Sequence, residues 1–150
     1  MMKTIKRVDS NFPDFQELVK LLDVDLAVRD GEDHAFYYQF NTITQLKHCV
    51  VLYQEDIPVA CGAFKIYSDK IAEIKRMYTA ENFRGNGFAS AILQELEIWA
   101  KELGYQKCIL ETGINQPEAI SLYQKIRYQK IPNYDQYKDV ETSVCFEKEL

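Results

Sequence analysis

Apolar positions recur at two spacings along the chain, and these spacings predict its first elements. Residues 3–8 alternate weakly between polar and apolar and predict a first strand. A helix to about Val28 is predicted next, because apolar residues recur at helical spacing from Phe12 and Pro13 suits a first helical turn. The polar residues 9–11 are of the types that cap helices, so we expect them to cap this one.

Three apolar, β-branched segments in the middle of the chain predict neighbouring strands. They span 47–54, 59–67 and 70–79, and short polar turns separate them. Strands joined by such short turns form an antiparallel meander. Residues 34–41, before the meander, are rich in aromatic side chains without a clear period, so they predict either a short helix or a loop.

A long amphipathic helix is predicted after the meander, ending at Gly104. Its apolar stripe consists of Ala89, Ile92, Leu93, Leu96, Ala100 and Leu103. A short apolar strand at 107–112 follows, so strand, helix and strand form a βαβ unit whose two strands run parallel. A last helix opens at Asn115, with Glu118 completing a capping box, and two short strands end the chain.

These elements predict one α/β (α+β) domain over residues 1–150. Its sheet should be mixed and mostly antiparallel, with about seven strands, three to four helices and a central βαβ unit. A length of 150 residues is typical of a single domain. No repeat, linker or low-complexity segment interrupts it.

Charge and hydropathy exclude two classes of partner. A net charge of −5 argues against a general nucleic-acid binder. No apolar run approaches the roughly 20 residues needed to span a bilayer, and the N-terminus lacks the apolar core of a signal peptide. We therefore expect a soluble, cytoplasmic protein that binds neither nucleic acid nor membrane.

Cysteine and histidine are too sparse and too scattered to predict a metal site. Cys49, Cys61, Cys108 and Cys145 form no Cys-x-x-Cys pair and lie in apolar, strand-like runs, which predicts buried thiols. The chain has only two histidines, His34 and His48. None of the cysteines lies in a nucleophile motif.

A glycine-bearing loop, Arg84-Gly85-Asn86-Gly87, leads directly into the long helix. Free amides and the helix dipole converge there, which favours a phosphate group. The dinucleotide fingerprint G-x-G-x-x-G fails at its third position, Ser90, and the chain lacks the repeated βαβ units of that fold. A nucleotide P-loop is excluded because no Gly-Lys-Ser/Thr follows the loop.

Residues 84–89 resemble the Q/R-x-x-G-x-G/A motif of the GCN5-related N-acetyltransferase superfamily. The preceding strand, the four-residue spacer and the following helix also fit, and 119–128 resembles the family's A-x-x-L-Y-x-x-x-G-F segment. Two residues depart from the pattern. Arg127 replaces the usual glycine, and Gln116 stands where the family often has Asn, which here is one residue earlier at Asn115.

The resemblance implies that the protein binds acetyl-CoA as co-substrate and uses no metal. Loop amides would hold the pyrophosphate, and the end of the preceding strand would pair with the pantetheine arm. The cofactor-binding residues implied are Met77, Tyr78, Thr79, Arg84, Gly85, Asn86, Gly87, Phe88, Ala89, Ser90, Asn115 and Tyr123.

Tyr123 matches the family's tyrosine that protonates the departing thiolate, since a phenol can donate a proton at neutral pH. An amine acceptor must lose a proton before it attacks. Glu73 matches the glutamate base of the histone-acetylating branch, and Glu111, His34 and water are the alternatives. The acceptor pocket would be walled by Tyr37, Tyr38, Tyr134 and Tyr137, which suit an amine through cation–π contacts.

The function implied is N-acetylation of a primary amine, most simply of a small molecule, by direct transfer in a ternary complex. Acetylation of a protein or peptide amine is the alternative within this class. A CoA-binding sensor without catalysis is the alternative outside it. Family members often dimerise through their C-terminal strands, so the resemblance also implies a homodimer.

Overall fold

The computed structural model of the chain describes residues 2–31 and 45–150. The predicted aromatic stretch 34–41, with His34, Tyr37 and Tyr38, lies outside these ranges. The strands are β1 Lys3–Val8, β2 His48–Gln54, β3 Ile57–Ser68, β4 Ile71–Thr79, β5 Lys107–Gly113, β6 Gln129–Ile131 and β7 Ser143–Glu149, and the helices are α1 Pro13–Asp30, α2 Phe88–Glu102 and α3 Pro117–Lys125.

One seven-stranded mixed sheet organises the described residues, in the order β1-β2-β3-β4-β5-β7-β6. The predicted meander is confirmed, because β2, β3 and β4 pair antiparallel. The predicted βαβ unit is also confirmed, since β4 and β5 pair parallel through residues 71–73 and 107–109. The fold class predicted from the sequence is therefore correct.

Apolar helix faces cover both sides of the sheet. On one side, Ile92, Leu93 and Leu96 of α2 are fully buried in a core that also includes Tyr123 of α3. On the other side, Phe15 and Val19 of α1 pack against β2 and β3. All four cysteines are buried, as predicted.

The predicted N-terminal helix caps are wrong. Phe12 and Gln116 occupy the N-cap positions of α1 and α3, and neither makes a side-chain capping hydrogen bond. Ser10 instead uses its Oγ to accept a hydrogen bond from the Leu46 amide at 3.0 Å. Asn115 is exposed, one residue outside the cap position. In both cases the chain enters the helix later than the polar residues suggest.

A β-bulge interrupts the pairing of β3 with β4 halfway along the two strands. The register passes from Cys61 opposite Tyr78 to Ala63 opposite Lys75, so Gly62 alone faces two residues, 76 and 77. Arg76, in the bulge, has a φ of 61°. Bulges bend a strand and increase its twist, and this one lies where β4 approaches the glycine loop.

The pairing of β4 with β5 ends before the bulge is reached. Their parallel register ends at Glu73 opposite Ile109, although β4 continues to Thr79 and β5 to Gly113. The two strands therefore part and leave a gap between neighbouring strands in the middle of the sheet. Polar side chains at the edges of this gap are accessible from a cavity, as described below.

Gly62 is required by contacts across the sheet. A Cβ atom at this position would lie 2.6 Å from Met77 Sδ and 2.7 Å from Ile92 Cγ2. We expect Gly62→Ala to lower the free energy of unfolding by about 1–3 kcal/mol, because overpacking a filled core forces its neighbours to shift. Urea unfolding of the two proteins measures the difference. An unchanged unfolding midpoint would show that Met77 and α2 move aside without cost.

Arg127, the departure from the family glycine, adopts a left-handed conformation with a φ of 77°. It directly follows the last turn of α3, where glycine is usual because it lacks the Cβ that makes this conformation unfavourable. The chain has kept the backbone conformation without the residue type that suits it.

Arg127→Gly should therefore stabilise the protein, by about 0.5–1 kcal/mol, through relief of that steric cost. Arg127→Ala is the matched control, since it removes the same side chain and keeps the Cβ. Thermal or urea unfolding should rank the glycine variant above the other two proteins. Equal gains for both variants would show that the long side chain, not the backbone, is the source of the cost.

Candidate active site

The glycine loop holds its backbone in conformations that only glycine adopts readily. Gly85 and Gly87 have φ values of 82° and 77°, and a Cβ at either would meet no atom within 4 Å. The backbone angle, not crowding, therefore requires glycine at these positions. Gly87 is the N-cap of α2 and supplies no side-chain acceptor, so the first-turn amides are left for another partner.

Side chains tie this loop to the end of β4. Arg84 donates from Nε to the Thr79 carbonyl oxygen at 2.9 Å. Asn86 donates from Nδ2 to the Phe83 carbonyl oxygen at 3.0 Å. Asp25 of α1 lies 3.6 Å from the Arg84 guanidinium, so α1, β4 and the loop meet at one place.

A cavity of about 440 Å³, here named the large cavity, opens between the glycine loop, the end of β4 and α3. Its volume is in the range of small-molecule sites. The predicted cofactor-binding residues that line it are Met77, Tyr78, Thr79, Arg84, Gly85, Gly87, Phe88, Ala89, Ser90 and Tyr123. Asn86 and Asn115 do not line it, whereas Gln116 does.

Thr79 gives an independent sign that the large cavity receives a hydrogen-bonding ligand. Its Oγ1 is buried and has no hydrogen-bond partner among the residues that the structure describes. Buried polar atoms are rarely left unpaired in native proteins. The open amides of the loop point to the same conclusion, since they need an acceptor.

A second, smaller cavity of about 80 Å³ lies where β4 and β5 part. Residues 74–77 form one edge and residues 110–113 the other, and Leu22 and Leu26 of α1 contribute as well. This small cavity shares Leu22, Met77, Gln116 and Tyr123 with the large one. The two cavities therefore meet at Tyr123.

Tyr123 is 5% exposed and packs against Tyr128 and Phe146, with ring centroids 5.8 and 5.9 Å away. Its hydroxyl has no hydrogen-bond partner within residues 2–31 and 45–150. Burial raises the pKa of this phenol, and the negative charge of Glu111 adds to the effect. The hydroxyl therefore stays protonated at neutral and mildly alkaline pH and is available to a ligand.

The two candidate carboxylates lie in different surroundings. Glu111 lines the small cavity and accepts a hydrogen bond from Ser143 Oγ at 2.7 Å. Glu73 is 3% exposed, lines neither cavity and accepts a hydrogen bond from the Tyr134 hydroxyl at 2.8 Å. Tyr134 belongs to the predicted acceptor wall, and burial followed by the Glu73 charge raises the pKa of its phenol.

Sequence reasoning missed Lys75, which lies on the bulged strand and lines the small cavity. Its Nζ is 3.4 Å from the Tyr137 hydroxyl and 3.6 Å from Glu73 Oε2. Burial lowers its pKa. The signal was present, because Lys75 is two residues from Glu73 and so lies on the same face of β4.

The cysteines take no part in either cavity. Burial raises the pKa of Cys145 to about 11 and that of Cys49 to about 12, so both remain thiols at neutral pH. Within the described part of the chain, no cluster of three potential metal ligands occurs. The described helices are also too short or too polar to cross a bilayer.

Comparison with known proteins gives the same result from sequence and from structure. The profile of the acetyltransferase (GNAT) family matches residues 15–127. An IAA acetyltransferase of Azospirillum brasilense is 31% identical over 93 residues, which are 61% of this chain and 61% of that relative. The matched segment thus spans less than two thirds of the relative.

Two solved structures share the whole fold. A protein assigned as an acyl-CoA N-acyltransferase from Klebsiella pneumoniae superposes with a TM-score of 0.83 at 27% identity, covering 99% of this chain and 98% of the other. A GNAT family acetyltransferase from Elizabethkingia anophelis, solved with acetyl-CoA bound, has a TM-score of 0.71 at 19% identity over 99% and 98% of the two chains. Since the family profile covers well over half of its length, this chain belongs to the acetyltransferase (GNAT) family.

Proposed function

We propose that this protein transfers the acetyl group of acetyl-CoA to the primary amine of a small molecule, directly and without a covalent enzyme intermediate. The observation that carries the proposal is the meeting of the two cavities at the buried side chain of Tyr123. One cavity suits the donor and the other opens on to the acceptor side. Membership of the family supports acetyl-CoA as the donor. The structure of the Elizabethkingia anophelis acetyltransferase was solved with acetyl-CoA bound.

The donor's phosphates suit the glycine loop. No side chain caps the start of α2, and the helix dipole favours an anion there. Thr79, whose Oγ1 has no partner among the described residues, lies on the way from the loop to Tyr123 along the end of β4. The thioester would then lie near Met77, where both cavities meet.

Proton movements accompany the transfer. The ammonium gives one proton to the base, and its nitrogen then forms a bond to the acetyl carbon. The nitrogen loses a second proton, and the bond from the acetyl carbon to sulfur breaks. Tyr123 donates its proton to the departing thiolate, and its raised pKa keeps that proton in place until then. Because the cysteines are buried thiols, the chain offers no sulfur nucleophile in either cavity.

Glu111 is the base that the geometry supports best. It lines the same small cavity as Tyr123, so an amine there is within reach of both groups. Glu73 is engaged by Tyr134 and lies behind Lys75 on the same strand. Ser143 donates to Glu111 Oε2 at 2.7 Å and helps to orient this carboxylate at the edge of the cavity. The small volume of this cavity also favours a small acceptor over a peptide.

Tyr123→Phe removes the proposed acid with little change in shape, and kcat should fall about 10²-fold or more. Thiol release from acetyl-CoA across a panel of primary amines measures the rate. Tyr128→Phe is the matched control, because Tyr128 packs beside Tyr123 but donates to Glu97 at 2.9 Å, outside both cavities. Tight binding of acetyl-CoA with no turnover of any amine would instead indicate a CoA-binding sensor.

Glu111→Gln and Glu73→Gln separate the two possible bases. Glu111→Gln should lower kcat/KM about 10²-fold, because it removes the group that takes the proton of the amine. Glu73→Gln should keep most of the rate, since Glu73 does not line the cavity. The opposite pattern would assign the base to Glu73, and unchanged rates in both variants would leave water as the proton acceptor.

A further inference from the structure

Lys75 and Glu111 face one another across the gap between β4 and β5. The parallel register ends with Glu73 opposite Ile109, so two residues further on Lys75 and Glu111 stand level on the same face of the sheet. Both line the small cavity. Opposite charges are thus held on opposite edges of the space that an acceptor would enter.

The Lys75 ammonium is buried yet only weakly paired. Its side chain is 12% exposed, and its partners among the described residues are the Tyr137 hydroxyl at 3.4 Å and Glu73 at 3.6 Å. Both distances are longer than a good charge-assisted hydrogen bond, which is about 2.7–2.9 Å. An ammonium has three donors, so Lys75 retains capacity for an anion in the cavity.

Glu73 does not use up this capacity, because the Tyr134 hydroxyl holds it more closely than Lys75 does. Tyr134 donates to Glu73 Oε2 at 2.8 Å, and Lys65 approaches Oε1 at 3.7 Å. Glu73 therefore offsets part of the buried charge of Lys75. Both oxygens of Glu73 already have partners, Tyr134 on Oε2 and Lys65 on Oε1.

Arg76, the other cationic residue that lines the small cavity, is paired with Asp23 at 3.0 Å. Lys75 and Glu111 are the charged groups on the two edges of the gap.

We infer that the acceptor is a zwitterionic amino acid, with its carboxylate held by Lys75 and its amino group directed to Glu111. This inference rests on the proposed function. A simple cationic amine would find the positive charge of Lys75 beside it, and a purely anionic ligand would face Glu111. A molecule that carries both charges a few bonds apart complements both edges of the gap. Repulsion by Lys75 or by Glu111 disfavours ligands with only one of the two charges.

Matched acceptors test the inference. For several side chains, the amino acid, its amide and its decarboxylated amine are compared by thiol release from acetyl-CoA with wild type and with Lys75→Met. The wild type should favour the amino acid, and Lys75→Met should raise its KM about tenfold, the scale of one charged hydrogen bond. The KM of the decarboxylated amine should change less than about twofold, or improve, as like-charge repulsion is removed.

Two further variants separate recognition from a structural role. Lys65 is the other lysine near Glu73, and Lys65 does not line the small cavity. Lys65→Met should therefore leave the preference for amino acids intact. Lys75→Arg keeps the charge and should keep the preference for amino acids. Equal loss of rate with all three acceptor types in Lys75→Met would show that Lys75 only supports the fold and would overturn the inference.

Binding of the products provides a readout that does not need turnover. With CoA present, N-acetyl amino acids should raise the unfolding temperature of wild type more than that of Lys75→Met, and N-acetyl amines should not distinguish the two. A wild type that turns over simple amines without preferring the carboxylate would overturn this inference and leave acetyl transfer intact. Absence of turnover with every amine, despite bound acetyl-CoA, would overturn the proposed function as well.

Discussion

The structure depends on the parting of β4 and β5 in the middle of the sheet. Their parallel pairing ends at Glu73 opposite Ile109, and three residues further on β4 carries the bulge in which Gly62 of β3 faces both Arg76 and Met77. Bulges bend a strand, so the last part of β4 takes a different direction from the part that pairs with β5. Lys75 and Glu111 line the small cavity in this gap, and Tyr123 lies where that cavity meets the large one.

Both cavities combine charged and apolar side chains. The large cavity has apolar residues such as Phe88 and Leu122 beside the charged residues Asp25, Arg84, Glu118 and Lys125. The small cavity has Lys75, Arg76 and Glu111. Tyr123 lies at the junction of the two cavities, where burial keeps its proton in place. Ligands that enter the two cavities would therefore meet at the same phenol.

Local sequence features were sufficient for the glycine loop and the βαβ unit, because each depends on spacing within a short segment, whereas the family resemblance pointed to Tyr123. The bulge could not be predicted from local sequence. The need for glycine at position 62 comes from Met77 on β4 and from Ile92 on α2, which are distant along the chain. The sequence also could not show which of two neighbours, Asn115 or Gln116, contributes to the site. A shift of one residue at the start of α3 decides which of them faces the large cavity.

The surroundings that distinguish Glu73 from Glu111 as candidate bases are also visible only in the folded structure. Both lie on strands next to the gap, and sequence spacing cannot show that Tyr134, sixty-one residues away, holds one of them. Lys75 was passed over because a lysine on a strand usually faces solvent, and its burial depends on Tyr137 from the loop before β7. The missed residues are those whose surroundings come from distant segments.

The unpaired Thr79 hydroxyl and the uncapped start of α2 have a thermodynamic consequence. Polar groups left without partners make the empty fold less stable than its packing alone would allow. A ligand that satisfies them only in the folded chain shifts the folding equilibrium by RT ln(1 + [L]/Kd). The lifetime of this protein against proteolysis should therefore follow the concentration of whatever fills the large cavity, which couples its abundance to the supply of that ligand.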